Sequence, residues 1–154
     1  MSEAGLDEKP GHLVRRCQQI AVALFLDRCA PWALTPMQYA LLRAAQAEPG
    51  CDQITLAGRV AIDRSNAARL AAGLEHRGLL RRDPDPTDRR ARRLSLTEAG
   101  IALLAEAEPA VQDVQTALLA PLTQAERTTF VAALHKISAA HNDASRAPLR
   151  AASK

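Results

Sequence analysis

Residues 79–100 have the sequence LLRRDPDPTDRRARRLSLTEAG, and this stretch decides the fold. Its two ends, Leu79 to Asp83 and Arg92 to Leu96, are short segments with an extended pattern. The residues between them, 84–91, include two prolines together with turn-forming aspartates and a threonine, so they cannot form the interior of a helix. The stretch therefore predicts a β-hairpin whose connecting loop is rich in arginine.

Two short helices are predicted just before this hairpin. Asp52 is placed to cap a helix that extends through Val60, and Asp63 is placed to cap a second helix from Arg64 to Arg77. Gly78 suits the position that follows a helix end. The order helix, tight turn, helix, strand, basic loop, strand is typical of a winged helix-turn-helix, in which the second helix enters the major groove of DNA.

Helical patterns flank this unit on both sides. A stripe of apolar residues runs from His12 to Cys29, and Thr35-Pro36-Met37-Gln38 is a capping box that opens a helix ending near Ala47. Thr97 is placed to cap a long helix to about Ala120 that is bent at Pro109, and Thr123-x-x-Glu126 opens a last helix to about Ala140. The predicted fold class is mainly α with a small β-hairpin wing.

Composition and charge narrow the class of protein. The 154 residues are 47% hydrophobic but only 3% aromatic, which suits helix-on-helix packing in one domain. No apolar run reaches the roughly 18 residues of a membrane span, so we expect a cytoplasmic protein without a membrane partner. Between Arg64 and Arg93 lie nine arginines and four acidic residues, a balance of +5 within a net charge of +3. Such a concentration favours a polyanion partner, although a solvated basic loop is the plainer alternative.

The candidate DNA-binding residues come from the second helix and the wing. Arginine pairs with guanine, asparagine with adenine, and a wing arginine suits the narrow minor groove or the phosphates. Taken singly, each of these side chains is also an ordinary solvated residue, and the hairpin an ordinary turn. The candidates are Arg64, Ser65, Asn66 and Arg69 on the helix, and Asp88, Arg89, Arg90 and Arg92 on the wing.

From Leu34 to Gly100 the sequence resembles the multiple-antibiotic-resistance-regulator (MarR) family of bacterial transcription factors. The resemblance rests on Leu34-Thr35-Pro36-x-Gln38, Asp63-Arg64-Ser65-Asn66-x-x-Arg69-Leu70, Leu74-Glu75-x-Arg77-Gly78-Leu79, Asp85-Pro86-Thr87-Asp88-Arg89-Arg90 and Leu94-Ser95-Leu96-Thr97-Glu98-x-Gly100. It implies a triangular α-helical homodimer in which each winged helix-turn-helix lobe binds half of a palindromic operator. It also implies that Arg90 reaches the minor groove, with Asp88 holding it in place.

The expected organisation is one domain of this type over residues 12–140. Residues 34–100 form the winged helix-turn-helix lobe, residues 12–30 and 101–140 form dimerisation helices, and residues 1–11 and 141–154 are flexible tails. The last two helices carry more apolar surface than one small lobe can cover, which a two-fold interface would bury. The expected function is repression of transcription, released by a small ligand.

Four residues are candidates for the ligand site: His12, Arg15, Arg16 and Trp32. An arginine beside an apolar crevice suits a carboxylate. The phrase Gly11-His12-Leu13-Val14-Arg15-Arg16 also resembles family members that control aromatic-acid catabolism, so an aromatic or anionic effector is expected. The alternative is that both arginines make salt bridges in the dimer and Trp32 belongs to the core.

The same residues give weaker support to other functions. A redox sensor needs an accessible thiol; Cys17 and Cys51 suit core positions, which leaves Cys29 as the thiol expected to be exposed. No His or Cys pair has metal-ligand spacing, and no phosphate loop, nucleophile elbow or carboxylate pair indicates an enzyme. No cofactor is expected. A protein-interaction module on the same scaffold is a further alternative, but that interpretation does not explain why the loop is rich in arginine.

Overall fold

A computed structural model describes residues 5–151 of the chain. Within them six α-helices and a small sheet follow one another in the predicted order. The helices are α1 (Pro10–Arg28), α2 (Pro36–Ala47), α3 (Gln53–Arg59), α4 (Arg64–His76), α5 (Glu98–Leu119) and α6 (Gln124–Ala140). The strands are β1 (Cys51–Asp52), β2 (Leu80–Pro84) and β3 (Arg92–Leu96), and short 3₁₀ turns lie at Leu6–Glu8, Ala30–Trp32 and Asn142–Ala144.

The helix starts form as the capping residues predict. Gln38 donates its backbone N–H to Thr35 Oγ1 at 3.2 Å, and Thr35 donates its own to Gln38 Oε1 at 3.0 Å, which completes the capping box of α2. Asp52, Asp63 and Thr97 accept the equivalent bonds at α3, α4 and α5. Thr123 and Glu126 form a second capping box at α6. Each bond satisfies an N–H that the helix itself leaves unpaired.

The sheet has one strand more than the predicted hairpin. β2 and β3 pair antiparallel with Leu80 opposite Leu96, and β1 joins the other edge of β3 with Cys51 opposite Leu94. Gly50 makes this possible, because its φ of +76° turns the chain and its N–H donates to the Leu94 carbonyl at 2.8 Å. A two-residue strand carries too little pattern to be found from sequence.

One core joins the lobe to the long helix. Leucines from α2, α3, α4, β2 and β3 pack with the inner face of α5 and the end of α1, where Phe25 and Cys29 are buried. Gly100 lies at the tightest point: a Cβ there would overlap the carbonyl oxygen of Leu79. The buried lobe residues are Leu34, Leu41, Leu42, Ala45, Leu56, Ala71, Leu74, Leu79, Leu80 and Leu94, and those of α5 are Leu104, Ala107, Val111 and Val114.

Much of α1 and most of α6 are exposed to solvent within residues 5–151. Of the apolar residues predicted on the first helix, only Phe25 and Cys29 at its end are buried, while Leu13 and Ile20 are 44% and 46% exposed. No residue of α6 is buried, and Leu134 and Ile137 are 40% and 56% exposed. The stripe does not face the core because α1 packs against α5 alone along most of its length.

The segments expected to be flexible tails have structure where they are described. Residues 6–8 form a 3₁₀ turn, and α1 begins at Pro10 rather than at His12. After α6, Asn142 donates to the Leu149 carbonyl at 3.0 Å and accepts from the Leu149 N–H at 2.8 Å. Arg150 then donates its backbone N–H to the carbonyl of Gly58 in α3 at 2.7 Å. These contacts, which a polar and aperiodic sequence does not reveal, return the chain end to the lobe.

Among the helices of residues 5–151, none combines the length and the apolar character that a membrane span requires.

Candidate nucleic-acid interface

The second helix of the helix-turn-helix, α4, divides into a buried and an open face. Ala67, Ala71 and Leu74 are buried, as the spacing predicts. Arg64, Ser65 and Arg69 are exposed, and Asn66 is half-buried. The side chains predicted from the sequence to contact bases therefore lie on the solvent-facing side of α4.

Hydrogen bonds fix the start of this open face. Asp63 accepts from the backbone N–H of Asn66 at 3.0 Å and from its Nδ2 at 2.6 Å. Asn66 Oδ1 in turn accepts from the Arg69 guanidinium. The bonds from Asn66, and then the nearby positive charge of Arg146, hold the pKa of Asp63 below its ordinary value. Asn66 therefore orients Arg69. Within residues 5–151 the donors of this face that have no partner are the guanidinium of Arg64, the hydroxyl of Ser65 and the remaining N–H groups of Arg69.

The wing loop is organised by Asp85, a residue that the sequence did not single out for a site. Its carboxylate accepts from Arg93 Nε at 2.8 Å, from the Thr87 N–H at 2.8 Å and from the Thr87 hydroxyl at 2.7 Å. Its side chain is only 11% exposed. The bond from Arg93, followed by those from Thr87, strongly lowers the pKa of Asp85. The carboxylate thereby ties the first residues of the loop to the start of β3.

The tip of the wing differs in detail from what the resemblance implies. Asp88 Oδ1 accepts from the backbone N–H of Arg90 at 2.9 Å, so it fixes the main chain rather than the guanidinium. Arg92 folds back, donating to the carbonyls of Arg89 and Ala91 at 3.2 Å each. Arg89 and Arg90 are exposed, and within residues 5–151 their guanidinium groups have no hydrogen-bond partner. These two side chains are the cations that the wing offers to a ligand.

Several arginines of the basic segment are already engaged. Arg81 pairs with Asp83 at 2.7 Å, and Arg82 pairs with Glu75 at 2.8 Å. Arg77 donates to the carbonyls of Trp32 and Ala33 at 2.7 and 2.9 Å. These bonds stabilise the lobe, so the three guanidinium groups are less available to a ligand. Arg81 and Asp83 both lie in β2, whereas the partners of Arg82 and Arg77 come from other elements, which the sequence does not reveal.

The four candidate ligand residues do not form one site in a single chain. Arg15 lies 3.3 Å from His12 Nδ1 and donates to Gln19 at 3.2 Å, and Arg16 is exposed. At 1.5 Å per residue, the end of α1 at Arg28 lies about 24 Å along the helix from His12. Trp32 lies beyond that end, where it packs against the core. The structure thus brings His12 and Arg15 together and separates them from Trp32.

Two crevices adjoin the helix that carries Arg15. The smaller, of about 150 Å³, lies among α1, α2 and α5 and is lined by Gln18, Ala21, Val22, Phe25, Pro36, Val114, Gln115 and Leu118. The larger, of about 470 Å³, lies among α1, α5 and α6 and is lined by Leu13, Val14, Cys17, Gln18, Ala21, Leu118, Leu119, Pro121, Leu122, Phe130 and Leu134. Arg15 lies three residues before Gln18, which lines both crevices, and seven before Val22, which lines only the smaller one, and residues at these spacings share a face of a helix.

The cysteines are placed differently from the prediction. Cys29 is fully buried in the core, and burial raises the pKa of its thiol. Cys17 is the exposed thiol, and Cys51 is half-buried in β1 with its pKa also raised by burial. The expectation that Cys29 is the accessible one is wrong, because the chain turns inward after α1. In the described part of the chain, no three His, Cys, Asp or Glu side chains cluster as a metal site would need.

The sequence of this chain is similar to those of known transcriptional regulators. The MarR family model matches residues 34–91, which span α2 to the wing loop. The transcriptional regulator HosA of Escherichia coli O111:H- is 34% identical over 119 residues, covering 74% of this chain and 88% of that protein.

Two solved structures extend the likeness across the whole fold. The PcaV transcriptional regulator of Streptomyces coelicolor, in complex with its natural ligand, has a TM-score of 0.83 at 36% identity, over 91% of this chain and 99% of that one. BpsR of Bordetella bronchiseptica, whose DNA binding is regulated by 6-hydroxynicotinic acid, has a TM-score of 0.82 at 31% identity, over 89% and 98% of the two chains. This chain belongs to the MarR family of transcriptional regulators.

Proposed function

We propose that this chain represses transcription by binding a palindromic operator as a homodimer, and that a small aromatic acid releases it. One observation carries the DNA-binding part: arginines that the lobe does not use for its own stability lie on α4 and at the tip of the wing. Within residues 5–151 the guanidinium groups of Arg64, Arg89 and Arg90 have no acidic partner, whereas Arg81, Arg82 and Arg93 do.

In this proposal α4 occupies the major groove. Ser65 and Arg69 contact base edges from its first two turns, and Asn66 sets the direction of Arg69. Arg64 lies at the helix start, where backbone N–H groups and the helix dipole favour a phosphate. Arg89 and Arg90 reach the minor groove or its phosphates from the wing, on a loop whose shape Asp85 and Asp88 maintain.

The homodimer is proposed to form through α1, α5 and α6. The exposed apolar residues of α1 and α6, with the 470 Å³ groove between them, form one continuous surface. Within residues 5–151 no other segment covers this surface, and a two-fold contact buries the same patch on both copies. Two lobes then bind half-sites about 34–36 Å apart, one helical turn of DNA.

The ligand site is proposed in the smaller crevice among α1, α2 and α5. Its volume of about 150 Å³ suits one aromatic ring, since an engineered cavity of about that size binds benzene. Arg15, with His12 beside it on the same helix, supplies a cation for the carboxylate of such a ligand. A ligand there lies between the dimerisation helices and the lobe. It causes release of DNA if it binds more tightly to a form of the dimer in which the spacing of the two lobes does not match successive major grooves.

A regulator of this kind acts by binding alone, and no catalytic residue is assigned. For a regulator that binds DNA, the proposed location is the cytoplasm.

The test is fluorescence anisotropy with the duplex found upstream of the gene, against a scrambled duplex, at several salt concentrations. Tight binding to the native duplex that weakens steeply with salt supports the proposal. Absence of binding to any duplex at low salt overturns it. Adding a panel of hydroxylated benzoic and nicotinic acids to the complex tests release, and Arg15→Gln is expected to remove the response while leaving DNA affinity unchanged.

A further inference from the structure

The segment that follows α6 returns to the helix-turn-helix, and we propose that it extends the DNA-binding surface: Arg146 and Arg150 contact operator phosphates beside α4. This inference rests on the proposed DNA-binding function. It concerns residues 141–151, here named the C-terminal strap, which lie outside the 34–91 span that the family model matches.

The strap is held at both ends. At its start, Asn142 closes a loop on Leu149 with two hydrogen bonds, of 2.8 and 3.0 Å. At its end, the Arg150 N–H donates to the Gly58 carbonyl at 2.7 Å. Arg59 donates to the carbonyls of Arg150, at 3.2 Å, and of Ala151, while its Nε pairs with Glu48 at 2.8 Å. The path of the backbone is therefore fixed relative to α3.

Gly58 allows this close approach. A Cβ at Gly58 would lie 3.1 Å from the Cβ and the Cγ of Arg150, closer than such atoms normally pack. The first helix of a helix-turn-helix crosses the DNA backbone when the second lies in the groove. A segment docked on the last turn of α3 consequently lies near the phosphates that flank the recognition helix.

The charges of the strap point to a polyanion rather than to an internal role. Arg146 and Arg150 are exposed, and within the residues described their guanidinium groups make no hydrogen bond or ion pair. Arg146 lies near the middle of the loop that Asn142 closes. Its positive charge is close enough to the N-cap residue of α4 to help lower the pKa of Asp63, after the larger effect of the Asn66 bonds. Among the residues described, the strap thus carries two cations without a partner, Arg150 beside the last turn of α3 and Arg146 near the start of α4.

Phosphate contacts are recognised by their salt dependence. Each contact contributes about 0.9 to the slope of log affinity against log salt, independently of base sequence. A dimer carries Arg146 twice, so Arg146→Gln is expected to reduce the slope by about 1.8. Between 50 and 200 mM salt, the ratio of wild-type to variant affinity is then expected to fall about tenfold. Discrimination between native and scrambled duplexes is expected to stay the same, because phosphates carry no sequence information.

The experiment measures anisotropy over this salt range for the full chain and its variants Arg146→Gln, Arg150→Gln and Asn142→Ala. Arg146→Lys and Arg150→Lys retain the charge and are expected to keep the wild-type slope. Arg43→Gln, on the exposed side of α2, is the matched control for loss of a cation elsewhere. Asn142→Ala keeps every charge but releases the loop, and it is expected to weaken binding. Thermal unfolding of each variant checks that the fold is intact.

Two results overturn the inference. If the wild type binds its operator and both glutamine variants bind with the same affinity and slope, the strap makes no phosphate contact, while the proposed function stands. If the wild type binds no duplex, the proposed function fails and the inference fails with it.

Discussion

Asp63 accepts two hydrogen bonds from Asn66, one from the backbone at 3.0 Å and one from Nδ2 at 2.6 Å. The first caps α4 and the second aligns the asparagine that orients Arg69. Stability of the helix and geometry of the proposed DNA contact thus depend on one carboxylate.

Asp63→Ala is therefore expected to affect both properties. Loss of the N-cap should lower the free energy of unfolding by about 1 kcal/mol. DNA affinity should fall as well, because Arg69 loses the arrangement that Asn66 gives it. Urea unfolding and anisotropy measure the two effects, and Asp63→Asn, which retains a capping oxygen, is the control. An unchanged unfolding midpoint for the alanine variant would contradict this role.

The Asp85 carboxylate should make the stability of the wing depend on pH. Its pKa in the folded chain lies below the ordinary value of an aspartate, about 3.9, so the unfolded chain binds a proton first as pH falls. The stabilisation is fully present above that ordinary value and is lost as the pH falls towards the folded pKa. NMR titration of the carboxyl group checks the direction of the shift. Asp85→Asn is expected to remove this part of the acid sensitivity.

Arg90→Ala is expected to weaken operator binding by about 1–3 kcal/mol, as the loss of a groove contact does. Stability should change by less than about 0.5 kcal/mol, because the guanidinium has no partner in the described chain. Anisotropy and urea unfolding separate these effects. Arg43→Ala, which removes an exposed arginine from α2, should leave DNA binding intact; equal losses in both variants would mean that only net charge matters.

Leu134→Glu together with Ile137→Glu is expected to yield a monomer, since charged groups would then have to be desolvated in the proposed interface. Sedimentation velocity measures the state of association. Thiol labelling gives a second measurement: Cys17, which lines the groove between α1 and α6, should react slowly in the wild type and rapidly in the variant. Cys29 is buried and should stay unlabelled in both. A wild type that sediments as a monomer would exclude this interface.

Gly100→Ala is expected to destabilise the fold by about 1–3 kcal/mol, because its Cβ would overlap the Leu79 carbonyl oxygen and force the backbones apart. Gly73→Ala is the matched control, since no atom lies within 4 Å of a Cβ there. That substitution should leave stability unchanged or raise it by up to about 1 kcal/mol, the difference in helix propensity. Thermal or urea unfolding distinguishes the two glycines.

Local signals in the sequence determined the elements of this protein. Thr35, Asp52, Asp63, Thr97 and Thr123 each cap the helix that they were expected to cap. The hairpin formed where prolines and turn residues interrupt two extended segments. The caps depend on neighbours within four residues and the hairpin on turn residues between two adjacent segments, so the sequence alone contains the information needed to find them.

Tertiary structure decided which chemically similar residues are available. It buried Cys29 and exposed Cys17, and it paired Arg82 and Arg93 with acidic side chains. It gave the guanidinium groups of Arg89 and Arg90 no partner among residues 5–151. It also added β1 to the sheet and returned the C-terminal strap to Gly58. Each of these outcomes depends on groups that are distant in sequence, because burial and ion pairing are set by the surfaces that meet when the helices pack.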